Sequence, residues 1–298
     1  MENFIREIYD FLSDRGLAVR KAGSGCGYES LSVDLPSGKG TRTILLLGTT
    51  ASTLETAKTQ QEAAQAEISR IYSETGSYPL IITEDRWYSQ NEAMCQRILS
   101  HLEIFTQIYA RNCEIRRIDK ATAKAFLEAH HSYGDATCKY RYGLYLKRHT
   151  GHCHAERSEA SLSPGTLVAV ATFSNARNWI KGNKTIRSYE WTRYASLPGV
   201  RLSGGMGILL KAFIKEVQPD DIMTYADLEW SEGKVYEQLG FTLEGTRPSV
   251  TFTIDTSEWS RTAMSSEATA GVDMPPPARR FFQNFGSNKY RLKLTDYQ

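Results

Sequence analysis

Residues 198–210 read PGVRLSGGMGILL, three glycines set just ahead of an apolar helical pattern. Glycines at such a place let backbone N–H groups turn toward one point and let a bulky anion approach closely. A helix N-terminus adds unpaired N–H groups and a favourable dipole. Gly205, Met206 and Gly207 are therefore placed to hold a pyrophosphate, with Arg201, Leu202, Ser203 and Gly204 leading into it. A simple turn and helix cap is the other reading of the same glycines. A second group follows at residues 234–245, KVYEQLGFTLEG. Val235, Tyr236 and Leu239 face one side of a short helix, Gly240 ends it and Phe241 plugs a core as a strand begins. His149, His152, Cys153 and His154 invite a metal reading, but their spacing matches no zinc template. Residues 147–166 read instead as a tolerated loop inserted between two strands, and no metal is expected.

The elements that must position these groups follow from periodicity. Residues 1–20 form a helix with Phe4, Ile8, Phe11 and Leu12 on one face, ended by the break GSGCG. Strands are expected at 31–35, 43–47 and 78–83, a polar alanine-rich helix at 53–73, and a helix at 91–105. Residues 1–108 thus make a small α/β unit. A second unit, 109–298, carries strands at 114–118, 142–146, 167–173, 189–196, 222–226, 250–254 and 290–294. Its helices are at 121–130, 207–217 and 233–239. Residues 256–280, rich in Ser, Thr, Ala and Pro, read as a mobile excursion.

The 298 residues carry 36 basic and 34 acidic side chains, a net charge of +2. That balance argues against a wholesale nucleic-acid binder but leaves room for a local basic face. A hydrophobic fraction of 41% is ample for a packed core. The charged N-terminal stretch has no apolar signal region, and no apolar run is long enough to span a membrane. The five cysteines are scattered without CxxC spacing, so reduced thiols and a cytoplasmic location are expected.

The two motifs together resemble the GNAT superfamily of N-acetyltransferases. Pro198, Arg201 and Gly204 fall on that family's P-x-x-(Q/R)-x-x-G-x-(G/A) loop, and Val235-Tyr236-Glu237-Gln238-Leu239-Gly240-Phe241 on its "LYEKLGF" helix. Met206 departs from the pattern, standing where a small residue is usual. The resemblance implies an α/β (α+β) fold with a mixed sheet flanked by helices in the C-terminal half. It implies acetyl-CoA as co-substrate and an amine, of unknown identity, as acceptor. A tyrosine at Tyr236 would protonate the leaving thiolate, or would be a helix tyrosine packed with its hydroxyl at the surface. Glu190, Asp227 and Glu229 are candidate bases, and each also reads as a solvated or salt-bridged carboxylate. His131 ends a helix where GNAT substrates commonly lie, or caps that helix.

A narrower resemblance is to phage and mobile-element proteins that join a restriction-endonuclease-like domain to a GNAT-like one. It rests on Phe126-Leu127 with His131 and Gly134, on residues 189–194 (YEWTRY), on residues 204–207 (GGMG), and on residues 224–233 (TYADLEWSEG). It implies that His131, Arg193, Asp227 and Trp230 share one cleft; a buried Arg193–Asp227 pair is a structural account of the same residues. Residues 81–87, IITEDRW, resemble the nuclease-like half. Asp34 could be its first metal ligand, but the next strand, TILLLGTT, has no carboxylate or lysine, so cleavage is not expected. Lys39, Arg42 and Lys58 could give the N-terminal domain a weak nucleic-acid contact, and a solvated surface explains them as well. The alternative function is therefore a non-catalytic, DNA-associated protein on a GNAT-like fold.

Overall fold

The computed structural model describes residues 1–147, 162–264 and 278–297. The chain forms two compact units. The first comprises residues 1–103, 226–232 and 246–288; the second comprises 104–225, 233–245 and 289–298.

The first unit opens with α1 (Glu2–Ser13), whose Phe4, Ile8 and Leu12 are buried at the spacing of one helical face. Next come β1 (Val19–Gly25), β2 (Tyr28–Asp34) and β3 (Thr41–Leu47). Of the expected glycine-rich break, Gly23–Gly25 end β1, and Cys26 and Gly27 are the turn into β2. At Gly25 a Cβ would collide with the Tyr28 ring at 2.5 Å, and at Gly23 it would crowd the Ser30 hydroxyl at 3.0 Å. The long helix α2 (Leu54–Thr75) is capped by the Thr53 side chain and ended by Gly76 at φ 66°. Then follow β4 (Leu80–Thr83), α3 (Glu84–Ser89) and α4 (Asn91–His101). The sheet order is β1-β2-β3-β4, with β3 and β4 parallel and the other pairs antiparallel.

The second unit begins with β5 (Thr106–Tyr109), β6 (Cys113–Arg117), α5 (Lys120–His130), β7 (Tyr140–Leu146) and β8 (Leu167–Phe173). β9 (Arg177–Lys181) and the long β10 (Lys184–Ser196) form a hairpin; β11 (Val200–Ser203) and α6 (Gly205–Val217) follow. β12 (Asp221–Asp227), α7 (Lys234–Gln238) and β13 (Thr242–Arg247) continue the chain. β14 (Thr251–Asp255), β15 (Ser260–Ala263) and β16 (Arg279–Gln283) make a small antiparallel sheet of the first unit, and β17 (Ser287–Lys293) is the last strand. The main sheet runs β13-β17-β12-β10-β8-β7-β6, with β9 on β10. Mixed sheets flanked by helices make the fold α/β in the α+β sense.

Two expectations change. Residues 256–280 are not one excursion. Residues 260–263 and 279–280 are strand, because Phe252 and Ile254 of β14 pair on both sides. Only 265–277 lie outside the described residues, as do 148–161 with His149, His152, Cys153 and His154. Residues 246–288, expected in the C-terminal unit, group with the first. Ile254, Phe282 and Phe285 share one core with Leu45, Leu47, Ala64, Ile68 and Ile81.

The second unit's core fixes α6. Phe213 stacks on Phe173 at 3.9 Å with the rings nearly parallel, and Tyr140 and Tyr189 meet it edge-on. Tyr142 donates from its hydroxyl to Glu216 at 2.8 Å. The helix therefore cannot rotate without breaking an aromatic cluster, and its N-terminus is held in a fixed direction.

Candidate functional site

β10 changes partners along its length. Lys184–Ser188 pairs with β9 and Trp191–Ser196 with β8 on one edge. On the other edge β12 pairs in parallel only from Ser188 to Glu190. Beyond that point the two strands part. The Thr224 hydroxyl donates to the Trp191 carbonyl at 3.1 Å, taking the place of the next rung. Among the described residues no strand covers Thr192–Ser196 on that side. A β-bulge between Trp191 and Arg193 marks the same place. The result is a wedge between two parallel strands, with backbone groups of β10 open along it.

β10 then turns through Pro198 and Gly199. Arg201, Leu202 and Ser203, expected in a loop, are instead strand β11, parallel to β5. Gln107 locks them, donating from Nε2 to the Arg201 carbonyl and the Ser203 hydroxyl, both at 2.9 Å. Arg201 is exposed, its guanidinium 5.2 Å from the Phe105 ring centroid. Gly204 is exposed at φ 78°, a conformation glycine adopts without a steric cost. Gly205 is buried; a Cβ there would lie 2.6 Å from Leu202 and 3.1 Å from the Tyr194 hydroxyl. Met206 and Gly207 complete the first turn of α6 and are half-buried. No side chain caps this helix, and its first return bond is Ile208 N–H to Gly204 O. The N–H groups of residues 205–207 thus have no partner inside the helix.

Tyr236 lies on α7 in the second unit. Its ring meets Trp191 at 6.1 Å, Phe241 at 5.7 Å and Tyr290 at 5.6 Å. Burial pushes its hydroxyl up from the ordinary tyrosine value, a bond with Thr224 opposing. Trp191 and Thr224 are the residues at the mouth of the wedge, so Tyr236 sits beside the point where β10 and β12 part. Gly233, at φ 86°, starts α7 with its Cα against Tyr290, where a Cβ would clash at 2.5 Å. Glu190 ends the β10–β12 pairing and is half-buried; its backbone exchanges hydrogen bonds with Ser174. His131 caps the C-terminus of α5 and accepts the Tyr133 N–H on Nδ1. Arg193 donates from Nε to the Gly134 carbonyl, holding that same His131–Gly134 turn, and from Nη1 to the Thr192 carbonyl. The fold thus brings His131 and Arg193 to one loop.

The other expected site residues belong to the first unit. Asp227 accepts the Glu229 N–H at 2.9 Å. Glu229 is 2% exposed and closed in by two arginines, Arg86 Nε at 2.6 Å and Arg261 Nη1 at 2.8 Å. Arg261 also forks onto Asp85. Burial alone would raise the Glu229 pKa, but the two guanidiniums win and hold it down at about 2. A general base needs an oxygen that substrate can reach and that takes up protons near neutrality. Glu229 has neither property, so the base reading gives way to the salt-bridged one. Trp230 lies under the guanidiniums of Arg97 at 4.2 Å and Arg86 at 5.1 Å, and Arg97 donates to its carbonyl. Asp34 is tied to Arg20. The EDRW stretch is wholly buried, with Trp87 donating to Glu7 at 2.8 Å. This ionic hub was invisible from spacing, because Asp85 and Arg261 are far apart in the chain.

The hub has a pH signature. A carboxyl held below its ordinary value stabilises the fold above about pH 4.3 and loses that contribution as pH falls toward its folded value. The urea midpoint should therefore drop between about pH 4.5 and 2, and Glu229→Gln should flatten the drop. An equally steep profile in Glu229→Gln would contradict this.

Among the described residues no cluster of three or more His, Cys, Asp or Glu side chains could hold a metal, and the four described cysteines are free. No helix among them is long and apolar enough to cross a membrane.

No protein-family model and no curated protein matches the chain. Solved structures similar to it include a nourseothricin acetyltransferase, 13% identical over 62% of this chain and 99% of that one, with a TM-score of 0.32. A GNAT-family acetyltransferase from Bacillus anthracis is 14% identical over 61% and 95%, with a TM-score of 0.30. An HPA2-type acetyltransferase from Corynebacterium glutamicum is 13% identical over 78% and 93%, with a TM-score of 0.31. All three are acetyltransferases. At TM-scores this low the likeness assigns this chain neither family nor activity.

Proposed function

We propose that the second unit is an acyl-CoA-dependent N-acyltransferase that acetylates an amine. The observation that carries this reading is the wedge between β10 and β12, continued by a glycine turn into the uncapped start of α6. A pantetheine-like chain can lie against the open edge of β10 and hydrogen-bond to it as a strand would. The pyrophosphate of acetyl-CoA fits the exposed Gly204 and the N–H groups of Gly205, Met206 and Gly207, where dipole and donors both favour an anion. A Cβ on Gly204 would meet only Ala110 at 3.7 Å, so the approach is open. Met206 carries its side chain on the same turn, and its backbone N–H serves as well as a glycine's. Arg201, exposed beside the turn, supplies a positive charge.

Acetyl-CoA supplies an acyl group activated as a thioester. A β10 N–H at the bulge would stabilise the oxyanion formed when the amine attacks that carbonyl. Glu190 is the base that takes the amine proton, directly or through water. Tyr236, kept neutral by its raised pKa, donates its proton to the departing thiolate. His131 and Arg193, on one loop of the same unit, are the acceptor-binding residues.

Calorimetric titration with acetyl-CoA, using desulpho-CoA as a second ligand, tests the reading; no binding up to millimolar concentration would refute it. Tyr236→Phe should lower kcat about 10²-fold while leaving acetyl-CoA affinity within about two-fold. A parallel loss of affinity would make Tyr236 a packing residue.

A further inference from the structure

The start of β3, in the first unit, holds a feature that acyl transfer does not use. β4 pairs with β3 only from Ile44 onward, so among the described residues Thr41, Arg42 and Thr43 have no strand beside them on that edge. A cavity of about 190 Å³ opens there, lined by Thr41, Arg42, Thr43, Thr75, Ser77 and Tyr78. The lining contains one cation, five hydroxyl-bearing residues and no carboxylate.

Arg42 differs from the other arginines of this sheet and its covering helix. Arg20 is paired with Asp34, and Arg70 with Glu67 and Glu74. Arg42 has no ion pair among the described residues, and its Nε is buried without a hydrogen bond. A buried donor left without an acceptor is a cost that folded chains rarely carry for nothing. The cavity walls are accounted for: the Thr75 hydroxyl donates to the Ile71 carbonyl and accepts the Ser77 N–H, and the Tyr78 hydroxyl donates to the Leu228 carbonyl. Asp227 and Glu232 act on Tyr78 at its hydroxyl. The hydroxyls of Thr41, Thr43 and Ser77 make no hydrogen bond among the described residues, which leaves a guanidinium fork and three hydroxyl donors without acceptors.

We infer that this cavity is a binding site for a phosphate group. A guanidinium fork matches two phosphate oxygens, and hydroxyls can satisfy the others. A lone carboxylate would accept fewer of the donors and fill less of the space. The phosphate comes free in solution or at the end of a nucleic-acid strand, and the two sources are separable.

The test is calorimetric titration of the full chain carrying Gly204→Asp, at low ionic strength and without acetyl-CoA, whose own phosphates would compete for the cavity, so that an anion at α6 does not contribute. The probes are inorganic phosphate, a 5′-phosphorylated dinucleotide and its unphosphorylated form. Phosphate should bind with a submillimolar Kd. Arg42→Gln should weaken it at least about ten-fold, and Arg42→Lys, which keeps the charge but loses the fork, several-fold. A phosphorylated dinucleotide tighter than inorganic phosphate identifies a strand end; one no tighter identifies the free ion. No heat with any phosphate-bearing probe up to about 20 mM, or equal binding in the parent and Arg42→Lys, would overturn the inference. Because no coenzyme is present, the outcome stays separate from the fate of the acyltransferase reading.

Discussion

Arg261→Met is expected to lower the stability of the protein by about 3–5 kcal/mol, because it strips a guanidinium from two buried carboxylates at once. Asp85 is 1% and Glu229 2% exposed. Among the described residues the Asp85 carboxylate is bonded by the side chain of Arg261 alone, and that of Glu229 would keep only Arg86. Methionine fills much of the same space, so the loss is electrostatic rather than a void. Urea unfolding followed by circular dichroism measures it. The triple change Arg261→Met, Asp85→Asn, Glu229→Gln should recover a large part, since it removes the stranded charges with the cation. Equal destabilisation in the single and triple variants would show that packing, not charge, is what Arg261 provides.

Gly204→Asp should weaken acetyl-CoA binding by at least about 10²-fold. It would place a carboxylate where the proposal puts the pyrophosphate. The isosteric Gly204→Asn is the control. Asn and Asp tolerate the left-handed conformation about equally, so both carry the same backbone strain at φ 78°. Only the charge differs. Asn should lose no more than about ten-fold in a direct titration. If both variants bind like the parent, the glycines serve only to turn the chain from β11 into α6.

The motifs at 198–210 and 234–245 led to the right elements because each joins a strand, a glycine and an amphipathic helix. Such junctions are specified locally. α6 and α7 appear within two residues of their expected starts. What stayed hidden had no local signature. β9 and β13 are exposed along their whole lengths, so they show no inside–outside alternation. β11 looked like loop because its partner, β5, lies nearly a hundred residues earlier in the chain. The buried EDRW stretch reads as surface by composition, since nothing nearby announces that Arg261 and Glu229 will close over it. Of the candidate site, the glycine turn, Tyr236 and the His131–Arg193 loop fall in the second unit. Asp227, Glu229 and Trp230 fall in the first, although only a few residues separate them from Tyr236 in the chain.

The threading of the chain sets how this protein can be taken apart. A cut after residue 108 would release a fragment carrying β1–β4 but lacking Ile254, Phe282 and Phe285, which fill the core under α2, and lacking Arg261, which neutralises Asp85. Such a fragment would expose a raw apolar face and a stranded carboxylate. Neither half is a cassette that recombination could swap with a single crossover. An engineer who wants one unit must splice across the other.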